Sequence, residues 1–196
     1  MAAYCTAAEV KAFGRDSTLD DAVLLLLIES VSDLVDRWCR RTFVPASGTR
    51  TYDRIDGKTI RLDRELVALT RITTNAGQTF LPASVRLEPR SGPPYLWLTL
   101  TGYSDQFLYS GTPVDAVSVE GTWGYKATVP NPIRLATMKW VLTEYNKADV
   151  QGFNSIGAAG MSVGMAWASE AAPPMEVQEI LALYRRRRIE AAVNGQ

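Results

Sequence analysis

The stretch VEGTWGYKATVPNPIRLATMKW, residues Val119 to Trp140, changes texture in its middle. Up to Tyr125 it reads as the end of a strand region. After Pro130 it reads as a helix, with Asn131 able to cap and Pro132 suited to the first helical position. The helix predicted over 132–148 carries Ile133, Leu135, Ala136, Met138, Trp140, Val141, Leu142 and Tyr145 around most of its circumference. A helix apolar on nearly every side is buried on several sides. One small β unit and two other helices are few elements to cover it, so a neighbouring subunit is expected to supply part of the cover.

Upstream, from about Thr49 to Tyr125, short runs of β-branched and aromatic residues alternate with turn residues: TRTYDRI, KTIRL, VALTRITTN, VRLEP, YLWLTL and DAVSVEGTW. This spacing predicts an antiparallel β unit, a small sandwich or barrel. Asp56-Gly57 between the first two runs is a strong two-residue hairpin signal.

Helices precede this unit. Thr6-Ala7-Ala8-Glu9 fits a capping box opening a helix over 6–13 that ends at Gly14. A second helix, over 18–41, starts at Ser17 or Thr18 with Asp20 and Asp21 in its first turn, where the helix dipole favours acids. Its apolar residues fall at 24, 27, 28, 31, 34, 35 and 38, a period near 3.6. Leu25 and Leu26 lie off that stripe.

Downstream, residues 150–172 are rich in Gly, Ala and Ser. Within them Met161, Val163, Met165 and Trp167 alternate with small residues, which predicts a strand over 161–167. A lone strand must pair with something, in this chain or another. A last helix is predicted over 174–193, led by Pro173-Pro174. The fold class is therefore α+β: a small helical bundle (1–48 and 126–196) interrupted by a β unit (49–125) and carrying one extra strand.

Composition narrows the function. The chain has 196 residues, and its 21 basic and 21 acidic groups cancel, so no global field favours nucleic acid or membranes. Cys5 and Cys39 form no metal-binding pair and no disulfide framework, which fits a reducing compartment. The longest aliphatic run, Val23 to Ile28, falls far short of the roughly 20 residues that span a bilayer. A soluble, intracellular protein with no cofactor is expected. The absence of histidine removes the commonest general base and metal ligand. Asp53, Asp56 and Asp63 read as solvated edges and turn formers, and Gly157-Ala158-Ala159-Gly160 is too small a match for a phosphate loop. Trp123 and Tyr125 read as a plug between sheet and helix rather than as a stacking platform. No catalytic grouping emerges, and an enzyme is not expected. A small enzyme or carbohydrate-binding module using Trp97, Tyr103 and Trp123 is the reading left to test on the β unit.

Three stretches, in this order and spacing, carry a family likeness: LVDRWCRRTF followed by RTYDR and LTRITTNAGQ; the stretch 119–140; and SIGAAGMSVGMAW followed by a proline-led helix ending in LYRRRR. Together they resemble the head–tail connector family of long-tailed bacteriophages, also called adaptor or head-completion proteins. The resemblance implies a structural virion protein, assembled in the host cytoplasm, forming a closed ring, commonly of twelve copies. Such a ring sits beneath the portal protein, extends the DNA conduit and receives the next neck, stopper or tail-completion protein. A ring needs two different adhesive faces on each subunit. Leu25, Leu26, Met138, Trp140, Met161, Val163, Met165 and Trp167 are the expected interface residues.

The run Arg185-Arg186-Arg187-Arg188 completes the picture. Val177, Ile180, Leu181 and Tyr184 make one apolar stripe, and its continuation lands on Arg187 and Arg188. At about 100° per residue the four arginines cover most of the helix circumference. A continuous helix would have to leave its core near Tyr184. Under the family likeness, Tyr184 and Arg185–Arg188 become a projecting tip that meets acidic portal side chains, or lines the conduit with sequence-independent contacts to double-stranded DNA. The alternative is a DNA-binding regulatory or packaging-associated protein using the same arginines.

Overall fold

In the computed structural model, residues 3–54, 57–103, 105–148, 155–158, 161–164 and 172–186 are described. The chain divides into two units, one built from residues 1–40 and 130–196 and the other from 41–129.

The first unit is helical. Helix α1 (Ala7–Gly14) opens with the capping box the sequence calls for: Thr6 Oγ1 accepts from the Glu9 N–H, and the Glu9 carboxylate accepts from the Thr6 N–H. Those bonds, the backbone one first, hold the Glu9 carboxyl below the ordinary carboxylate range. Helix α2 (Asp21–Cys39) starts later than expected. Its cap is Asp20, whose carboxylate accepts from Ala22 and Val23, whereas Thr18 bonds to Asp16. An ionised carboxylate makes the stronger cap here, because it meets both free N–H groups and the helix dipole. Arg40, at φ 55°, ends α2 in the left-handed conformation.

Helix α3 (Asn131–Ala148) begins one residue before Pro132, and the Pro130 carbonyl accepts its first bonds, from Ile133 and Arg134. Its apolar circumference finds partners within the chain. It packs against α1, α2 and a fourth helix, α4 (Met175–Ala182). Ile133, Ala136, Trp140 and Val141 are buried there with Leu24, Ile28, Val31 and Val35 of α2 and Val177 and Leu181 of α4. Three helices of the same chain thus supply part of that cover, while Leu135, Met138, Leu142 and Tyr145 stay half-buried.

The second unit is a six-stranded antiparallel sheet. Its strands are β1 (Ala46–Tyr52), β2 (Thr59–Thr74), β3 (Thr79–Phe80), β4 (Val85–Glu88), β5 (Tyr95–Leu100) and β6 (Val117–Trp123). The order is β1-β6-β2-β5-β4, with β3 beside β2. Two runs that read as separate strands, KTIRL and VALTRITTN, are one 16-residue strand. Its first part pairs with β5 and its second with β6, and the register shifts at Arg61/Leu66, Leu66/Ala68 and Leu69/Arg71. Such bulges let one strand serve two partners. The apolar face of β2, with Ile60, Leu62, Leu66 and Ile72, closes the core with Leu98, Val117, Val119 and Trp123.

The hairpin expected at Asp56-Gly57 does not form between adjacent strands. Gly57 has the positive φ (96°) a turn needs, yet β6 lies between β1 and β2. β6 buries Val117, Val119 and Trp123 on alternate positions, and a strand so patterned takes the interior place in the sheet. Close approach there rests on Gly121, where a Cβ would stand 2.4 Å from the Ala68 carbonyl oxygen.

The extra strand also has a partner. β8 (Met161–Gly164) pairs with β7 (Ser155–Ala158) as a two-stranded antiparallel sheet, Ile156 opposite Val163. Residues 155–158, part of the stretch rich in Gly, Ala and Ser, provide the missing strand. Met165 and Trp167 lie outside the described residues.

Candidate functional site

The C-terminal end of α4 is where sequence reasoning placed the decisive residues. The helix ends at Ala182 rather than continuing to about 193. Leu183 and Tyr184 form a turn in which the Tyr184 N–H donates to the Leu181 carbonyl at 3.0 Å. The chain then bonds to the end of α2: the Arg186 N–H donates to the Cys39 carbonyl at 2.9 Å. The Arg185 guanidinium lies over the Trp38 ring, 5.5 Å from its centre. The geometric problem posed by four arginines on a continuous helix is solved by stopping the helix. Through Arg186 the segment is docked, not projecting. Arg187 and Arg188 lie outside the described residues.

This docking adds two residues that sequence reasoning did not group with the run. Arg37 and Arg40, in the last turn and at the cap of α2, are both exposed. The bond from Arg186 to Cys39 brings the end of α4 to the same helix terminus. Cations at a helix C-terminus are favoured by its dipole. The signal was present in the sequence as DRWCRR, but only the meeting of the two helix ends joins it to YRRRR.

The expected subunit-contact residues fall into three groups. Leu25 and Leu26 are 55% and 66% exposed on α2, beside Val23, and form an apolar patch at the start of a helix whose opposite side is core. Met138 is half-buried, and Trp140 is 2% exposed, with its indole N–H donating to Glu144 Oε1 at 3.2 Å. Trp140 is therefore an interior residue of this unit, a consequence of α3 being covered on three sides. Met161 and Val163 occupy β8.

The β unit holds its aromatics and acids in structural contacts. Trp123 is buried and its indole N–H donates to the Gly48 carbonyl at 2.9 Å. Tyr125 packs edge-on against Phe43, and the Arg41 guanidinium sits 4.8 Å from its centre. Both aromatics are engaged inside the second unit, and Gly124 between them has φ 151° with Pro45 close by. Asp63 accepts from Tyr52 Oη at 2.7 Å and pairs with Arg50, and Asp53 accepts from the Asp115 N–H. Burial, with that bond to Asp63, raises the Tyr52 phenol above its usual range. Trp97 and Tyr103 are exposed, but with Trp123 buried the three do not form one platform. Among the described residues no group of three or more His, Cys, Asp or Glu could hold a metal ion. No described helix is long and apolar enough to cross a membrane.

Whole-chain likeness settles the fold class of this arrangement. A chain from the neck of an empty gene transfer agent particle, computed with C6 symmetry, matches with TM-score 0.55 and 18% identity, over 96% of this chain and 92% of that one. A chain from the virion of the native gene transfer agent particle matches at 0.56 and 18%, over 96% and 92%. A chain from the neck of the native particle, computed with C12 symmetry, matches at 0.56 and 17%, over 97% and 96%. This chain and those three share a fold. No protein-family description and no curated protein matches the sequence. The likeness is of fold, and it runs through both units.

Proposed function

We propose that this chain is a structural subunit of a phage-type virion neck, a head–tail connector of the adaptor kind. It closes into a homo-oligomeric ring beneath a portal and extends the DNA conduit toward the next neck or tail-completion protein. The observation that carries this reading is the fold likeness to gene transfer agent neck chains over nearly the full length of both partners. Those necks were computed with sixfold and twelvefold symmetry, which supports a ring.

Two surfaces serve the assembly. The exposed leucines 25 and 26 meet a neighbouring copy, because a closed ring needs an apolar contact outside the subunit core. The basic end formed by Arg37, Arg40, Arg185 and Arg186, with Arg187 and Arg188 following in sequence, meets acidic portal side chains. Guanidinium groups suit that partner, since they bind carboxylates through paired hydrogen bonds.

Light scattering after size exclusion, followed by negative-stain imaging with the purified portal of the same particle, tests the reading. Rings that stack on the portal are expected. A strict monomer that ignores the portal overturns it. Tight duplex binding by the isolated chain, falling steeply with salt, would instead favour the DNA-binding alternative.

A further inference from the structure

The main sheet ends on β1 at one side and on β4 and the two-residue β3 at the other, and the two longer edge strands are treated differently. At one end, β4 has four residues, carries the Arg86–Glu88 ion pair at 2.9 Å and runs directly into Pro89. Short length, charge and a proline are the usual means of blocking an edge. At the other end, β1 has seven residues in unbroken register with β6, from Ala46↔Trp123 to Tyr52↔Val117. Its sequence, ASGTRTY, contains no lysine, no acid and no proline, and five of its seven residues are exposed. Its one charge, Arg50, is drawn over the Trp123 ring and onto Asp63. Pro45 abuts β1 as Pro89 abuts β4, but β1 is nearly twice as long and carries no ion pair between its own residues, so its outward N–H and C=O groups form a template for another strand.

The chain also holds a strand pair of its own kind. β7 and β8 form a two-stranded sheet separate from the main one, with four residues in each strand. A two-stranded hairpin is marginal by itself in water and gains from a third strand. Ser155, Gly157, Ala158, Ser162 and Gly164 give it a sequence of small residues suited to close backbone approach.

We infer that the β7–β8 hairpin of one copy adds to the β1 edge of the next copy, extending the six-stranded sheet across the subunit boundary. The contact is heterologous, hairpin to edge, which is the kind that propagates around a ring. Backbone hydrogen bonds supply the attraction, as in other strand-addition interfaces. This inference rests on the ring reading proposed above.

The test uses assembled rings of the full chain. Thr49→Cys is combined with Ser155→Cys, and separately with Ser162→Cys, and each is oxidised after assembly. In parallel, hydrogen exchange of the segment 46–52 is compared between rings and dissociated subunits. The expected result is a ladder of disulfide-linked oligomers from at least one pair, with exchange at β1 slowed about tenfold or more in rings. Replacing 155–164 by a Gly/Ser linker should abolish that protection. Intact rings with no cross-link and no change in β1 exchange overturn the strand-addition inference alone. Failure of the unmodified chain to form rings under any condition, with or without portal, overturns both it and the ring reading.

Discussion

The backbone N–H of Arg186 donates to the carbonyl of Cys39, tying the chain that leaves α4 to the residue that ends α2. Because the bond is made by backbone atoms, it survives changes to the arginine side chains. Changing Arg185, Arg186, Arg187 and Arg188 together to alanine should leave the circular dichroism spectrum unaltered. Arg185 is exposed where it stacks on the half-buried Trp38, so its loss should cost no more than about 1 kcal/mol in urea unfolding. Attachment to the portal should fail in a pull-down. Undiminished attachment would remove the docking role from these residues.

Leu24 and Leu26 are two residues apart on α2 but face different worlds: Leu24 is fully buried and Leu26 is 66% exposed. Leu24→Ala should destabilise the chain by about 2–5 kcal/mol. Leu26→Asp should change stability by roughly 0.5 kcal/mol or less and yet prevent ring formation in light scattering. Rings of normal mass from Leu26→Asp would show that this patch faces no neighbour.

Gly121 lets β6 lie close against β2. A Cβ there would come 2.4 Å from the Ala68 carbonyl oxygen and 2.8 Å from Leu66 Cδ1. Backbone cannot yield as a flexible side chain can, so Gly121→Ala should lower stability by about 1–3 kcal/mol, read from the urea midpoint. Gly77, with open space around it but φ 85°, marks the contrast: strain there is conformational rather than steric.

The Glu9 carboxyl is held below the ordinary carboxylate range, first by the Thr6 backbone N–H. A carboxyl whose folded pKa is depressed adds stability above the unfolded pKa, and that contribution is lost as pH falls through the folded one. Thr6→Ala should cost about 1 kcal/mol at neutral pH by removing the cap. Glu9→Gln, which keeps a hydrogen-bond acceptor, should flatten the fall in melting temperature below about pH 4.5. An unchanged acid limb would assign that fall to other groups.

Cys5 is buried, and burial raises its thiol to about 12. Since the thiolate is the reactive form, Cys5 should resist iodoacetamide at pH 8 in the native protein and react once the chain is unfolded in urea. Rapid native labelling at Cys5, mapped by peptide mass, would contradict its placement in the helical core.

Much of this fold was legible from short-range signals. The capping box at Thr6, the 3.6 periodicity of α2 and the proline-led start of α3 are local; the first and last appear within a residue or two of their expected places, and α2 begins three residues late. Strand neighbours were not legible in the same way. Gly57 has the φ a turn needs and Asp56 lies outside the described residues, but the pairing differs from the expected one, because the choice between β2 and β6 as the partner of β1 depends on residues some 70 positions away. The end of α4 was misjudged for a related reason. Helical periodicity continued through Tyr184, and what stops the helix is a bond to Cys39, 147 residues earlier in the chain. The basic end likewise needed both helix termini, so the sequence pointed to Arg185–Arg188 without their companions Arg37 and Arg40.

Cryo-electron microscopy of this chain mixed with the portal of its own particle shows whether it forms a neck ring there. The expected image is a closed ring of this chain, coaxial with the portal and open along the axis, with the basic end of each copy at the portal boundary. A portal that remains bare beside monomeric chain at saturating concentration would contradict it.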